Sequence, residues 1–190
     1  RKLVYAWEMG DVNILISSEL NSESRIQYRR AIQDRITHVA PFLNLDGDPY
    51  IVADEGKLKW VQDAYTTSHN MPYSDPVIGD SDGKEYNYIR NSVKIVVDAF
   101  EGDIIFYLWD PADPVAETYN RIFPDLFTDA SLMPDSLKSH MRYPQGLFSV
   151  QAEKYIKYHM DNPEHFYGNE DLWAIPQEKF GQGETLQVVE

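Results

Sequence analysis

Asn44, Asp46 and Asp48, with Glu55 at the twelfth position, have the alternating spacing by which a calcium loop gathers oxygen ligands. Such a loop needs glycine at its sixth position for the sharp turn, and Pro49 stands there. Side chains bonding their own turn backbone are the expected state, so Asp46, Asp48 and Glu55 are weak calcium candidates and no specific site is expected. Asp80-x-Asp82-Gly83 opens in the same way, but Lys84 occupies the next ligand position. The five histidines, His38, His69, His140, His159 and His165, include no i, i+4 pair of the kind a helical zinc site uses. His159 falls on the apolar face of its expected helix and reads as a hydrogen-bonded core histidine. There is no cysteine, which removes thiolate chemistry. Nothing points to a cofactor. Hydrolysis by paired carboxylates needs two acids about 5–10 Å apart across a cleft. Asp63, Asp98 and Asp110 are the acids to inspect first, since each lies in or ends an expected strand. A solvent-facing or turn role competes at each. Arg90 and Arg142 adjoin apolar segments, where a guanidinium can anchor loops through bidentate bonds.

These residues must be held by strands. Val93, Ile95, Val97 and Ala99 alternate with Ser92, Lys94 and Asp98, Glu101-Gly102 follows, and then Ile104 to Trp109. Period-two alternation around a two-residue, glycine-containing loop is the strongest local signal of a hairpin. Glu55-Gly56 makes a second such turn between runs at 49–54 and 57–65. Both alternating faces of Ile104–Trp109 are apolar, which predicts a central strand covered on both sides. The fold class expected is α+β: an antiparallel sheet of strands near 49–54, 57–65, 88–99 and 103–109, with helices covering at least one face. Tyr28, Ile32, Ile36, Val39 and Leu43 predict an amphipathic helix over 22–40. Asp113 as cap, with Pro114 at the first helical position, predicts a helix to 123. A third helix is expected over 145–160. Residues 1–20 fit helix and strand equally. Residues 66–87 read as a long polar loop, of the kind that is functional or mobile. A single domain, or a piece of a larger region, is expected over 1–176, with a frayed tail at 177–190.

Composition narrows the partners. The 190 residues carry 31 acids against 17 bases, a net charge of −14, and a surface that negative repels nucleic acid and anionic lipid. No apolar stretch is long enough to span a bilayer. The chain begins at Arg1 rather than Met, the expectation being a piece cut from something longer.

Several strings occur together: Arg35-Ile-Thr-His-Val-Ala-Pro-Phe-Leu43, Asp46-Gly-Asp-Pro-Tyr50, Asp63-Ala-Tyr-Thr-Thr-Ser68, Asn87-Tyr-Ile-Arg-Asn-Ser-Val-Lys94, Arg142-Tyr-Pro144 and Tyr158-His-Met160. In combination, and in order over about residues 1–176, they resemble an uncharacterised family of large bacterial multi-pass membrane proteins. Its members look like several N-terminal transmembrane helices followed by a long soluble region. The resemblance implies a soluble, extracytoplasmic piece of a cell-membrane protein and carries no catalytic residues or cofactor. The function expected is a non-catalytic interaction or sensory module, its partners the parent's membrane region, another copy in a homo-oligomer, or an envelope component. The alternative is a carboxylate-based hydrolase of envelope glycans or peptides.

Overall fold

The two Glu-Gly turns both reverse the chain, by different means. At the first, Asp54 pairs with Lys57, and Glu55 (φ 50°) and Gly56 (φ 77°) are both left-handed, the backbone of a type I′ turn matched to strand twist. The second turn is longer than the two residues expected. Asp103 carbonyl accepts from Asp98 N, Gly102 N bonds back to Asp98 carbonyl at 3.0 Å, and Asp98 Oδ1 accepts from Phe100 N and Glu101 N, both at 2.8 Å. The Asp98 side chain thus supplies the acceptor that a two-residue turn would not require.

The computed structural model describes residues 1–24, 28–79, 83–179 and 186–188. The main sheet comprises β1 (Asn44–Leu45), β2 (Tyr50–Asp54), β3 (Lys57–Ser68), β6 (Tyr88–Asp98), β7 (Ile104–Leu108) and β8 (Phe127–Asp129). Its order is β1-β3-β6-β7-β8, with β2 also on β3. β1 and β2 therefore share one edge of β3 and are separated by the turn at 46–49. All pairings in this sheet are antiparallel except β7–β8, which is parallel and is reached through α4 (Pro114–Ile122). Mixed helices and antiparallel strands make the fold α+β, as expected.

Each face of the sheet carries its own core. Ala64, Val93, Ile95, Val97 and Phe106 pack against Ile36, Ala40 and Leu43, the first two from α3 (Ile32–Val39) and its C-cap. Phe42 stacks on Tyr119 of α4 with ring centroids 4.0 Å apart. On the other face Tyr50, Val52, Val61, Val96 and Tyr107 pack against Met133 and Leu137, from a 3-10 turn and α5 (Asp135–Lys138). The central position of β7 follows from this double coverage.

Several expectations change. The helix expected over 22–40 is confined to Ile32–Val39: Arg29 is left-handed (φ 55°) and Ala31 is extended, so the helix cannot extend back through them; Arg25 lies outside the described residues. The N-terminus forms α1 (Lys2–Met9) and α2 (Asn13–Ile16). The segment 66–87 is not one loop. β3 continues through Thr66, Thr67 and Ser68, paired with Arg90, Ile89 and Tyr88, while β4 (Val77–Ile78) pairs with β5 (Glu85–Tyr86). Asn87 ties the intervening turn through Met71 N, Met71 carbonyl and Ser74 carbonyl. Asp80 and Asp82 lie outside the described residues. The helix after Pro144, α6 (Gln145–Tyr158), has no fully buried residue. It is followed by α7 (Pro163–Gly168). His159 stacks on Trp173 at 4.0 Å in this peripheral aromatic group rather than sitting in a core. In the segment expected as a tail, β9 (Gln177–Lys179) pairs with β10 (Leu186–Val188).

Candidate functional site

Polar residues are concentrated where β3 and β6 cross the face opposite α3. Asp63 and Lys94 are directly paired across the two strands, each about 2% exposed, and Lys94 Nζ donates to Asp63 Oδ1. Burial pushes the Asp63 carboxyl up, by more than Lys94 and Asn91 draw it down. Lys94 also donates to Arg142 carbonyl at 3.3 Å, and its ammonium lies 5.3 Å from the Trp109 ring centroid.

Two residues further along β3, Tyr65 donates to Asp46 Oδ2. The same oxygen accepts from Gly146 N at 2.9 Å, and Tyr65 OH accepts from Leu147 N at 3.2 Å. Two unpaired amides at the start of α6 are thereby satisfied. Burial and the Asp46 carboxylate push the Tyr65 phenol well above its ordinary range. A Cβ at Gly146 would stand 3.0 Å from Asp46 Oδ2 and 3.2 Å from Tyr65 OH, so a side chain at 146 would force these neighbours or the helix to shift. Asp46 Oδ1 accepts from Asp48 N at 2.9 Å.

The calcium candidates do not converge. Asp46 is committed to Tyr65, Gly146 and Asp48, and Glu55 sits in the turn beyond the far end of β2, about 16 Å of extended strand away. Among the described residues no group of three His, Asp or Glu is placed to hold a metal ion. Asp98 closes the second turn, whose amides hold its carboxyl below the usual carboxylate range. Asp110 lies two residues beyond β7, accepting from Ala112 N at 3.1 Å and pairing with Arg90 Nε at 3.3 Å.

Asp113 does more than its sequence context announced. It caps α4 through Val115 N at 3.0 Å. It also accepts from Thr66 Oγ1 and Ser92 Oγ, both at 2.5 Å, and from Tyr88 OH at 2.6 Å. Burial would raise this carboxyl, but the four donors outweigh it and hold the pKa low. Burial and Asp113 push the Tyr88 phenol up to about 12. A register shift between the Ala64–Val93 and Thr66–Arg90 pairs accompanies the meeting of Thr66 and Ser92 at this carboxylate.

Between these anchors opens a broad cavity of about 670 Å³, bordered by Arg90, Asn91, Lys94, Trp109, Asp110 and Arg142, with Tyr143 and Gln151 on its α6 side. Asp110 lines it, and Asp63 lies behind Lys94. Asp98 lies about 13 Å of strand from Asp63. Sequence reasoning singled out Arg90, Arg142 and Asp110 separately, but their meeting depends on contacts between distant segments.

Comparison with known proteins places the chain. The profile of the uncharacterised protein family UPF0182 matches residues 1–188. UPF0182 proteins from Methanospirillum hungatei and from a Sulfurovum species are 51% and 49% identical, over 93% and 97% of this chain. One from Salinibacter ruber is 47% identical over 95%. The chain spans about a fifth of the length of these curated relatives. No solved structure matches it. With the family profile running nearly end to end and identity near one half, the chain belongs to the uncharacterised protein family UPF0182.

Proposed function

We propose that this chain is a non-catalytic interaction module in the extracytoplasmic region of a membrane-anchored protein, docking against the rest of its own polypeptide. The observation that carries the reading is an apolar surface on the N-terminal helices. Trp7 is 86% exposed, Ile16 76%, Leu3 68% and Val4 65%, a density of large apolar side chains that isolated soluble domains rarely leave in water. Relatives about five times longer provide an occupant for that surface. The remaining polypeptide is favoured over a second copy because it is tethered, which raises its effective concentration. No helix among the described residues is long and apolar enough to cross a membrane, so in this reading the anchor belongs to the remaining polypeptide.

The alternative, a carboxylate hydrolase of envelope glycans or peptides, needs two acids facing one cleft. Asp110 faces the cavity paired with Arg90, and Asp63 is screened by Lys94. The geometry suits holding better than cutting.

Two measurements on the intact membrane-bound protein test the proposal. A photo-crosslinking residue at position 7 or 16 is expected to join this chain to another segment of the same polypeptide. A cysteine at exposed Glu55, in a background otherwise free of accessible thiols, is expected to react with a membrane-impermeant maleimide added to whole cells. Crosslinks only to cytosolic proteins, or labelling only after lysis, would overturn it.

A further inference from the structure

We propose that the cavity bordered by Trp109, Tyr143 and Arg142 binds a saccharide bearing a single carboxylate. This goes beyond the docking role, since the cavity and α1–α2 are formed by different residues.

Charge comes first. Arg90, Lys94 and Arg142 line the cavity. Arg90 is paired with Asp110 and Lys94 with Asp63, whereas among the described residues no carboxylate pairs with Arg142. Its guanidinium lies 4.5 Å from the Tyr50 ring centroid, an arrangement that leaves in-plane N–H groups for an oxyanion. Three cations against two carboxylates leave one positive charge, which one carboxylate neutralises. A dianionic phosphate would overshoot and meet Asp110. The net −14 of the chain opposes any anion from afar, but beyond about 8 Å that field is screened at physiological ionic strength. A direct partner at Arg142 outweighs it.

Shape and chemistry select the rest of the ligand. Trp109 and Tyr143, 37% and 59% exposed, offer flat apolar faces to the C–H face of a sugar ring. Asn91, Gln151 and Asp110 mix hydrogen-bond donors and acceptors in the same concavity, which suits hydroxyls that donate and accept at once. Tyr143 OH is bonded to Gln151 Oε1 at 2.6 Å, which fixes the tyrosine and leaves the amide NH₂ of Gln151 as a donor. The cavity volume lies in the range of small-molecule sites.

The test uses the intact protein, with calorimetry and saturation-transfer NMR reading three probes: galacturonate, galactose as its neutral counterpart, and inorganic phosphate. Galacturonate is expected to bind at least about tenfold more tightly than galactose, as loss of a charge-assisted hydrogen bond implies. Phosphate is expected to give no signal at the cavity. Arg142→Gln should bring the two sugars to equal affinity, and Tyr143→Ala should weaken both. Both side chains are exposed, and unchanged melting temperatures would separate lost binding from lost folding. Equal affinity for the two sugars in the parent protein, galacturonate binding that survives Arg142→Gln, phosphate binding as tight as galacturonate, or no binding at millimolar sugar would each overturn the proposal. The crosslinking and labelling experiments read other surfaces, so either proposal can fail alone.

Discussion

Asp113→Ala should be among the costliest single substitutions in the chain. The side chain is fully buried, and its removal takes the cap from α4, worth about 1 kcal/mol. It also strands the hydroxyls of Thr66, Ser92 and Tyr88, at roughly 1–3 kcal/mol for each buried group left unpaired. Thr66 and Ser92 lie 3.2 Å apart and can bond each other, and half-buried Tyr88 can turn to water, so the sum is about 3–4 kcal/mol rather than more. For a chain of this size that corresponds to a fall of roughly 10 °C in melting temperature. Urea unfolding at fixed m-value measures it directly. The sign of its pH dependence is also determined. The folded pKa of Asp113 is depressed, so its contribution is complete above the unfolded value of about 3.9 and is lost as pH falls through the folded value. The gap between parent and variant should therefore narrow in acid. A cost below about 1 kcal/mol, or a gap equally wide at neutral and strongly acid pH, would refute the four-donor account.

Lys94→Ala or Asp63→Ala alone should each cost about 3–5 kcal/mol in urea unfolding, while Asp63→Leu with Lys94→Met should cost far less than their sum, because only an unpaired buried charge carries the full penalty. Gly56→Ala should cost about 1–2 kcal/mol for the left-handed backbone alone. Gly102→Ala should cost more by the same assay, since the new methyl would also overlap the Arg35 guanidinium, which donates to Gly102 carbonyl at 2.7 Å. Gly146→Ala should destabilise by roughly 1–3 kcal/mol through lifting α6 from Asp46 and Tyr65. Melting temperature should be the same in excess calcium and in chelator at constant ionic strength. A shift of several degrees specific to calcium and abolished by Asp46→Ala would reverse that expectation.

What the sequence made legible was local. Alternation at Val93–Val97 beside the apolar run Ile104–Leu108 announced the central hairpin, because neither signal needs a distant partner. Asp113-Pro114 announced a helix start because capping spans only two or three residues. The 22–40 helix was overextended because Tyr28 and Ile32 have helical spacing, while the left-handed Arg29 leaves no mark on a hydrophobic pattern. Thr66 to Ser68 looked like loop because their polarity is offset by partners as distant as Tyr88, Ser92 and Asp113. The cavity was illegible for the same reason. Asp63 meets Lys94 at a separation of 31 residues, and Gly146 meets Asp46 at 100, so residue type hinted at each member while only tertiary packing gathered them.

The interrupted edge formed by β1 and β2 has a consequence for assembly. A sheet can recruit a foreign strand only along an open rim of unpaired amides and carbonyls. Here one rim is broken at 46–49 by a turn containing Pro49, which has no amide hydrogen to offer, and the opposite rim is the three-residue β8. Along these two rims strand addition is limited to the five residues of β2 or the three of β8. An incoming strand would gain only a short run of hydrogen bonds at either rim, so a peptide partner of this sheet is expected to bind mainly through side chains.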